Sequence, residues 1–243
     1  MELVVIGVAA LATSVLSAIA GLGGGIVLLV VIAQFFVPTV AIPIHGAIQF
    51  VSNGSRGAML WRDVAWRAVL WSSILVLPAS ILGVYAATSI PDDATRVALG
   101  MFVLIIGWRP GLLTWRSGQR LPDPALIGVG AVSGFLNSTV GASGPVTSPF
   151  FKAVTATHVA FVATAAISQV VAHTSKIVAF SLDDFSLRDH VAVITIGAVG
   201  VVVGTWVGTR LLGRITDDRL DAVFKLVLSA LAIRLIVDGL LPD

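Results

Sequence analysis

Cysteine is absent from the 243 residues, which excludes disulfides and thiolate metal sites. Charge is nearly as scarce: Asp, Glu, Lys and Arg together make up 12% of the chain. The thirteen acidic residues are Glu2 and the aspartates Asp63, Asp92, Asp93, Asp123, Asp183, Asp184, Asp189, Asp217, Asp218, Asp221, Asp238 and Asp243. All stand at or near expected helix ends, so no carboxylate occupies the middle of a span. The first twenty residues hold Glu2 and neither Lys nor Arg, and without the basic opening of a signal peptide they read as a span. The formal charge is only +2, and the pI of about 9.5 rests mostly on arginines in loops. That distribution bears on loop orientation and implies no nucleic-acid partner.

What fills the chain instead is apolar: 57% hydrophobic residues and a mean hydropathy of +1.00. The expected class is an all-α polytopic membrane protein whose surroundings are the lipid bilayer. Apolar stretches able to cross, or nearly cross, a hydrocarbon core of about 30 Å fall near 3–37, 43–60, 66–88, 94–113, 125–150, 156–180, 188–212 and 219–240. The fifth begins a second copy of the first four. A slide of 120 residues lays Gly21 on Gly141, Gly24 on Gly144, Gln49 on Gln169, Asn53 on His173, Arg56 on Lys176 and Asp63 on Asp183. A slide of 125 lays the run from Gly83 to Asp93 on that from Gly208 to Asp218. Matched positions that are mostly polar or glycine, rather than Leu or Val, argue for duplication: 1–120 as one repeat and 121–243 as the other, in one membrane domain.

Loop charge orients the repeats, because Lys and Arg gather in the cytoplasm. The loop 61–67 carries Arg62 and Arg67 against Asp63, and 109–120 carries Arg109, Arg116 and Arg120 with no acid; both are expected inside. The acidic turn 90–94 is expected outside. In the second half the loop 181–189, with three aspartates against Arg188, falls outside, and the connection around Arg210, Arg214 and Arg219 inside. Equivalent loops thus lie on opposite sides, as an inverted repeat requires. Both termini are expected in the periplasm of a bacterial inner membrane protein.

From the inner 109–124 loop to the outer 181–190 loop the chain must cross an odd net number of times, yet two apolar stretches intervene. One doubles back. The stretch 125–150 is interrupted by Gly141, Gly144, Pro145 and Pro149, and 3–37 by Gly21, Gly23, Gly24 and Gly25. Each repeat is therefore expected to be a broken or re-entrant hairpin plus three transmembrane helices. Backbone freed from a helix at membrane depth survives only inside protein or beside a wet cavity, so the breaks mark the candidate site.

Half-helices opening at Gly24 or Gly25 and at Gly144 would turn free N–H groups and a positive dipole end inward, which suits an anion. Gly23 belongs to the same turn. Asn137, Ser138, Thr139, Ser143 and Thr147 add neutral donors. A polar stripe follows on the next helix: Gln49, Asn53 and Arg56 at i, i+4 and i+7, repeated as Gln169, His173 and Lys176. In an inverted repeat Arg56 and Lys176 would stand one at each mouth of an anion route; the competing reading lets both snorkel to the interface. His45 and His158 read as interfacial or structural. Neither cofactor nor metal is called for.

On Gly21-Leu22-Gly23-Gly24-Gly25, the segment from Asn137 to Pro145, the two-copy layout and the length, the chain resembles the TauE/SafE family of sulfite and organosulfonate exporters, also called TSUP permeases. Ser143 and Pro145 stand where that family tends to have glycine and small residues. The resemblance implies no enzyme but a transporter moving sulfite, sulfoacetate or a related sulfonate out through the inner membrane. Outward movement of one negative charge gains about 2.3 kcal/mol per 100 mV, roughly a fifty-fold concentration ratio, so export needs no coupling ion. An anion channel and a sulfonate uptake permease are the neighbouring alternatives. A third, a rhomboid-like intramembrane serine protease, starts from Gly141-Ala142-Ser143-Gly144 with His173 as base; the repeat argues against it by placing Gly23 and Asn53 at those two positions.

Overall fold

The structure, a computed structural model, describes residues 1–20, 24–109, 121–211 and 218–241. These are all helix and turn: α1 (Glu2–Ala20), α2 (Gly24–Ile32), α3 (Pro38–Met59), α4 (Trp66–Ser73), α5 (Val76–Thr88), α6 (Asp92–Trp108), α7 (Ala125–Thr139), α8 (Gly144–Val154), α9 (His158–Ser181), α10 (Val191–Leu211) and α11 (Asp218–Leu240). Arg116, Arg120 and Arg214, used above to orient loops, lie outside the described residues, as do Gly21 and Gly23.

Local chemistry sets the ends. Pro38 opens α3 behind an extended Val37, where its missing N–H is no loss. The Thr157 hydroxyl caps α9 by accepting from the Ala160 N–H at 3.1 Å. Asp92 and Asp93 sit in the first turn of α6, at its positive end. One expectation needs correction. The stretch 66–88 is not a single helix but α4 and α5, bent by 47°. Pro78 supplies the reason: it has no N–H for the Ile74 carbonyl, and regular bonding resumes only with Ala79 donating to Leu75 at 3.1 Å.

The expected break in 125–150 is present. Between α7 and α8 Gly141 has φ +77°, a conformation that strains any residue with a Cβ. The chain doubles back there, since Ser143 at the start of α8 lies 2.9 Å, hydroxyl to hydroxyl, from Ser133 on α7. In the first half α2 likewise turns back on α1. A Cβ on Gly24 would strike the carbonyl of Thr13.

Glycine governs the long helix pairs. On α10, Gly200 and Gly208 lie against the carbonyls of Gly7 and Val15 on α1, each 2.6 Å from where a Cβ would stand, with Gly204 over Leu11 between them. Small residues four apart let two backbones touch without side chains intervening. The pair α5 and α7 uses the same device, Gly83 over the carbonyl of Phe135 at 2.6 Å and Gly134 over that of Val76. Helix α3 packs on α9, and α6 on α11.

Among the described residues α9 and the stretch Leu187–Leu211 containing α10 are long and apolar enough to cross a membrane, and α4 with α5 would make a third span. Helix α3 falls short through the polar face it buries, His45, Gln49, Ser52, Asn53 and Arg56. The outer surface is greasy instead: Leu77, Ile81, Leu82 and Tyr85 on α5 and Val199, Val202, Val203 and Trp206 on α10 are exposed. An apolar outer surface of this extent, around a core that also buries a polar stripe, fits a lipid solvent.

Arg67 on α4 pairs with Asp123 ahead of α7. With the arginine side chain 80% exposed, the bridge is worth less than about 1 kcal/mol. Asp123→Asn should therefore leave thermal unfolding of the purified protein within a few degrees of wild type; a larger loss would mean that the pair does more than tie two surface segments.

Candidate functional site

Helix α3 runs beside both breaks and turns its polar stripe toward them. His45, Gln49, Asn53 and Arg56 all line one cavity of about 50 Å³. Ser17 of α1 and Gly25 and Ile26 of α2 close one side, Ala142, Ser143, Gly144 and Pro145 the other, and Gln169 and His173 of α9 complete the wall. Such a volume admits a few waters or one small ion. The second break also packs on the first half, because Gly141 lies against Leu29 of α2 and Ile42 of α3.

Most of the residues singled out from sequence converge here. Gly25, Gln49, Asn53, Arg56, Ser143, Gly144, Gln169 and His173 line the cavity. Gly24 is buried against Thr13 and Ser17 just behind it. Gly23 lies outside the described residues. Asn137 is wholly buried one layer back, and Ser138 faces α5 beside Gly83. The hydroxyls of Thr139 and Thr147 are spent on their own helices, on Phe135 at 2.8 Å and Ser143 at 3.2 Å. Arg56 and Lys176 are 2% and 0% exposed, so neither snorkels.

The second break carries a closed hydrogen-bond network. The Asn137 amide donates to Gln169 Oε1 at 3.1 Å and to Ser143 Oγ at 3.3 Å, and the Gln169 amide donates to Ser143 Oγ at 3.2 Å. Lys176 Nζ donates to Asn137 Oδ1 at 3.0 Å and to the Gly141 carbonyl at 3.3 Å. With both lone pairs of Ser143 occupied, its proton goes to Ser133. No hydrogen bond joins Ser143 to His173 among the described residues, so a serine–histidine nucleophile is not assembled.

Arg56 on α3 is bonded differently. Among the described residues it reaches only Asn53 Oδ1, at 3.4 Å through Nη1, while its buried Nε and Nη2 have no partner. Among the described residues no carboxylate lines the cavity. A guanidinium thus stands buried on the cavity wall without an acidic partner among the described residues. The N-termini of α2 and α8 open onto the same hole and add positive ends.

Of the two roles expected for His45, the interfacial one is excluded by burial and the structural one fits: its Nε2–H donates to the Gly25 carbonyl at 2.9 Å, and its ring meets that of His173 edge to face at 5.8 Å. The signal was present, since His45 precedes Gln49 by four residues and so extends the stripe by one turn. His158, exposed beside Phe161 at the start of α9, is as expected. Ser17 and Ser133 were also missed.

No curated protein and no solved structure matches the chain. A family description does: sulfite exporter TauE/SafE, whose members are membrane transporters and not enzymes, matches residues 5–235, nearly the whole length, and the chain belongs to that family.

Proposed function

We propose that this transporter carries a small sulfur oxyanion, sulfite or an organosulfonate such as sulfoacetate, out across the bacterial inner membrane, and that the anion binds between the two helix breaks. The observation that carries this reading is Arg56, buried without a carboxylate and with two donor atoms unpartnered in a cavity faced by two helix N-termini. An anion is the missing counter-charge. The volume of about 50 Å³ favours the smaller of these substrates, sulfite.

The inverted repeat belongs to the same reading. In its support, α2 and α8 start 120 residues apart, and so do α3 and α9. The contacts correspond too: Gly208 lies over Val15 as Gly83 lies over Phe135, at positions 125 and 120 apart. With that symmetry go the assignment of 1–120 and 121–243 to the two copies and of both termini to the periplasm.

Thermal unfolding of the purified protein against sulfite, thiosulfate, taurine, sulfoacetate, acetate and chloride tests the substrate. A true ligand at a hundred times its Kd stabilises by about 2.7 kcal/mol. One or more sulfur oxyanions should do so while acetate and chloride do not; equal behaviour of all six would refute the reading.

A further inference from the structure

The repeat pairs Arg56 with Lys176, which invites the same role for both. Their surroundings differ. Lys176 is fully enclosed and takes no part in the cavity wall. Its Nζ is engaged by acceptors on the second break, Asn137 Oδ1 at 3.0 Å and the Gly141 carbonyl at 3.3 Å. Asn137 then passes the constraint on, through its amide, to Ser143 and Gln169, which do line the cavity.

A second observation points the same way. Gly46 on α3 stands where a Cβ would lie 2.6 Å from Lys176 Cε. Helix α3 gives up a side chain at that level, and the lysine stem passes through the slot to reach the turn.

We propose that Lys176 is a positioning residue: it holds the Gly141 turn and the Asn137 amide in place, and so shapes the wall at Ser143 and Gln169, while Arg56 is the cation that meets the anion. This inference rests on the anion site proposed above. In its terms the two repeats have diverged, one cation serving the ligand and the other the backbone.

The discriminating probe is charge. A cation in contact with the ligand matters more to a dianion than to a monoanion, because the Coulomb energy scales with the product of charges. A residue acting through Asn137 changes the shape of the wall for both, and its charge, one layer further from the ligand, discriminates between them less. We would titrate thiosulfate and methanesulfonate against the full-length protein, following thermal stabilisation, in wild type, Arg56→Met, Lys176→Met and Gly46→Ala.

The expected result is that Lys176→Met weakens both anions by similar factors, on the order of tenfold, while Arg56→Met weakens thiosulfate much more than methanesulfonate. Gly46→Ala keeps both cations, presses on the lysine stem and should reproduce the common loss, which guards against misfolding of the lysine variant. A loss in Lys176→Met that falls on the dianion as disproportionately as that of Arg56→Met would overturn the positioning role and leave the anion site standing. Wild-type affinity for both anions in Gly46→Ala would also overturn it. If neither anion stabilises wild type, or Arg56→Met binds both as well as wild type does, the anion site itself fails and this inference falls with it.

Discussion

Arg56→Met should unfold at the same temperature as wild type or higher when no anion is present, and yet lose anion-dependent stabilisation and at least about a hundredfold of its efflux. The two halves of this expectation come from one fact. In the empty protein the guanidinium is buried with a single long hydrogen bond to Asn53 and no acid to neutralise it. Taking a charge out of water is expensive, and an apolar side chain of similar volume avoids that penalty. Met therefore relieves the folded state. For the same reason it removes what the anion comes to find, a charge whose donor atoms have been kept free of other partners. Thermal unfolding with and without sulfite, together with efflux from cells or vesicles, separates the two effects. A variant that is destabilised without ligand and equally active would mean that Arg56 is a structural cation.

Gly24→Ala should be the most damaging single methyl group in the hairpin, lowering stability by about 3 kcal/mol, the upper end of what overpacking usually costs. The new Cβ would land on the backbone carbonyl of Thr13 and lie 2.5 Å from Ser17 Oγ. Backbone has no rotamer to escape into, so α2 must shift away from α1, and with it Gly25, whose carbonyl His45 holds. Transport should fall together with stability. Gly128→Ala on α7 is the control: nothing lies within 4 Å of its Cβ position, so that variant should be unchanged or gain up to about 1 kcal/mol from helix propensity. Thermal unfolding of both reads the difference. A Gly24→Ala protein as stable as Gly128→Ala would show that α1 and α2 are not in backbone contact.

The sequence carried much of this in legible form because the relevant signals are local. Gly141, Gly144 and Pro145 interrupt an apolar run, and no uninterrupted helix accommodates them. Gln49, Asn53 and Arg56 share a face by spacing alone. What escaped notice depended on context. His45 lies on that same face, but residue 165, its counterpart in the second copy, is Ala, so repetition carries no signal that it belongs to the site. The bend between α4 and α5 was hidden because Pro78 sits in an otherwise unbroken apolar stretch, where hydropathy sees a span and only the missing N–H reveals the break. Spacing put Arg56 and Lys176 on matching faces, but how far each side chain reaches is decided by neighbours such as Gly46, remote in sequence from Lys176.

The glycine contact between α1 and α10 also bears on how the protein is made. Helix α1 leaves the ribosome well before α10, and the helix whose Gly200, Gly204 and Gly208 press against it begins about 170 residues after α1 ends. At the ~5–20 residues per second of synthesis, that is a wait of roughly ten to thirty seconds. For that interval α1 sits in the bilayer with its contact face turned to lipid or to a chaperone. An early helix thus packs against a much later one, and the α1 face of the first hairpin is completed only once α10 has been made.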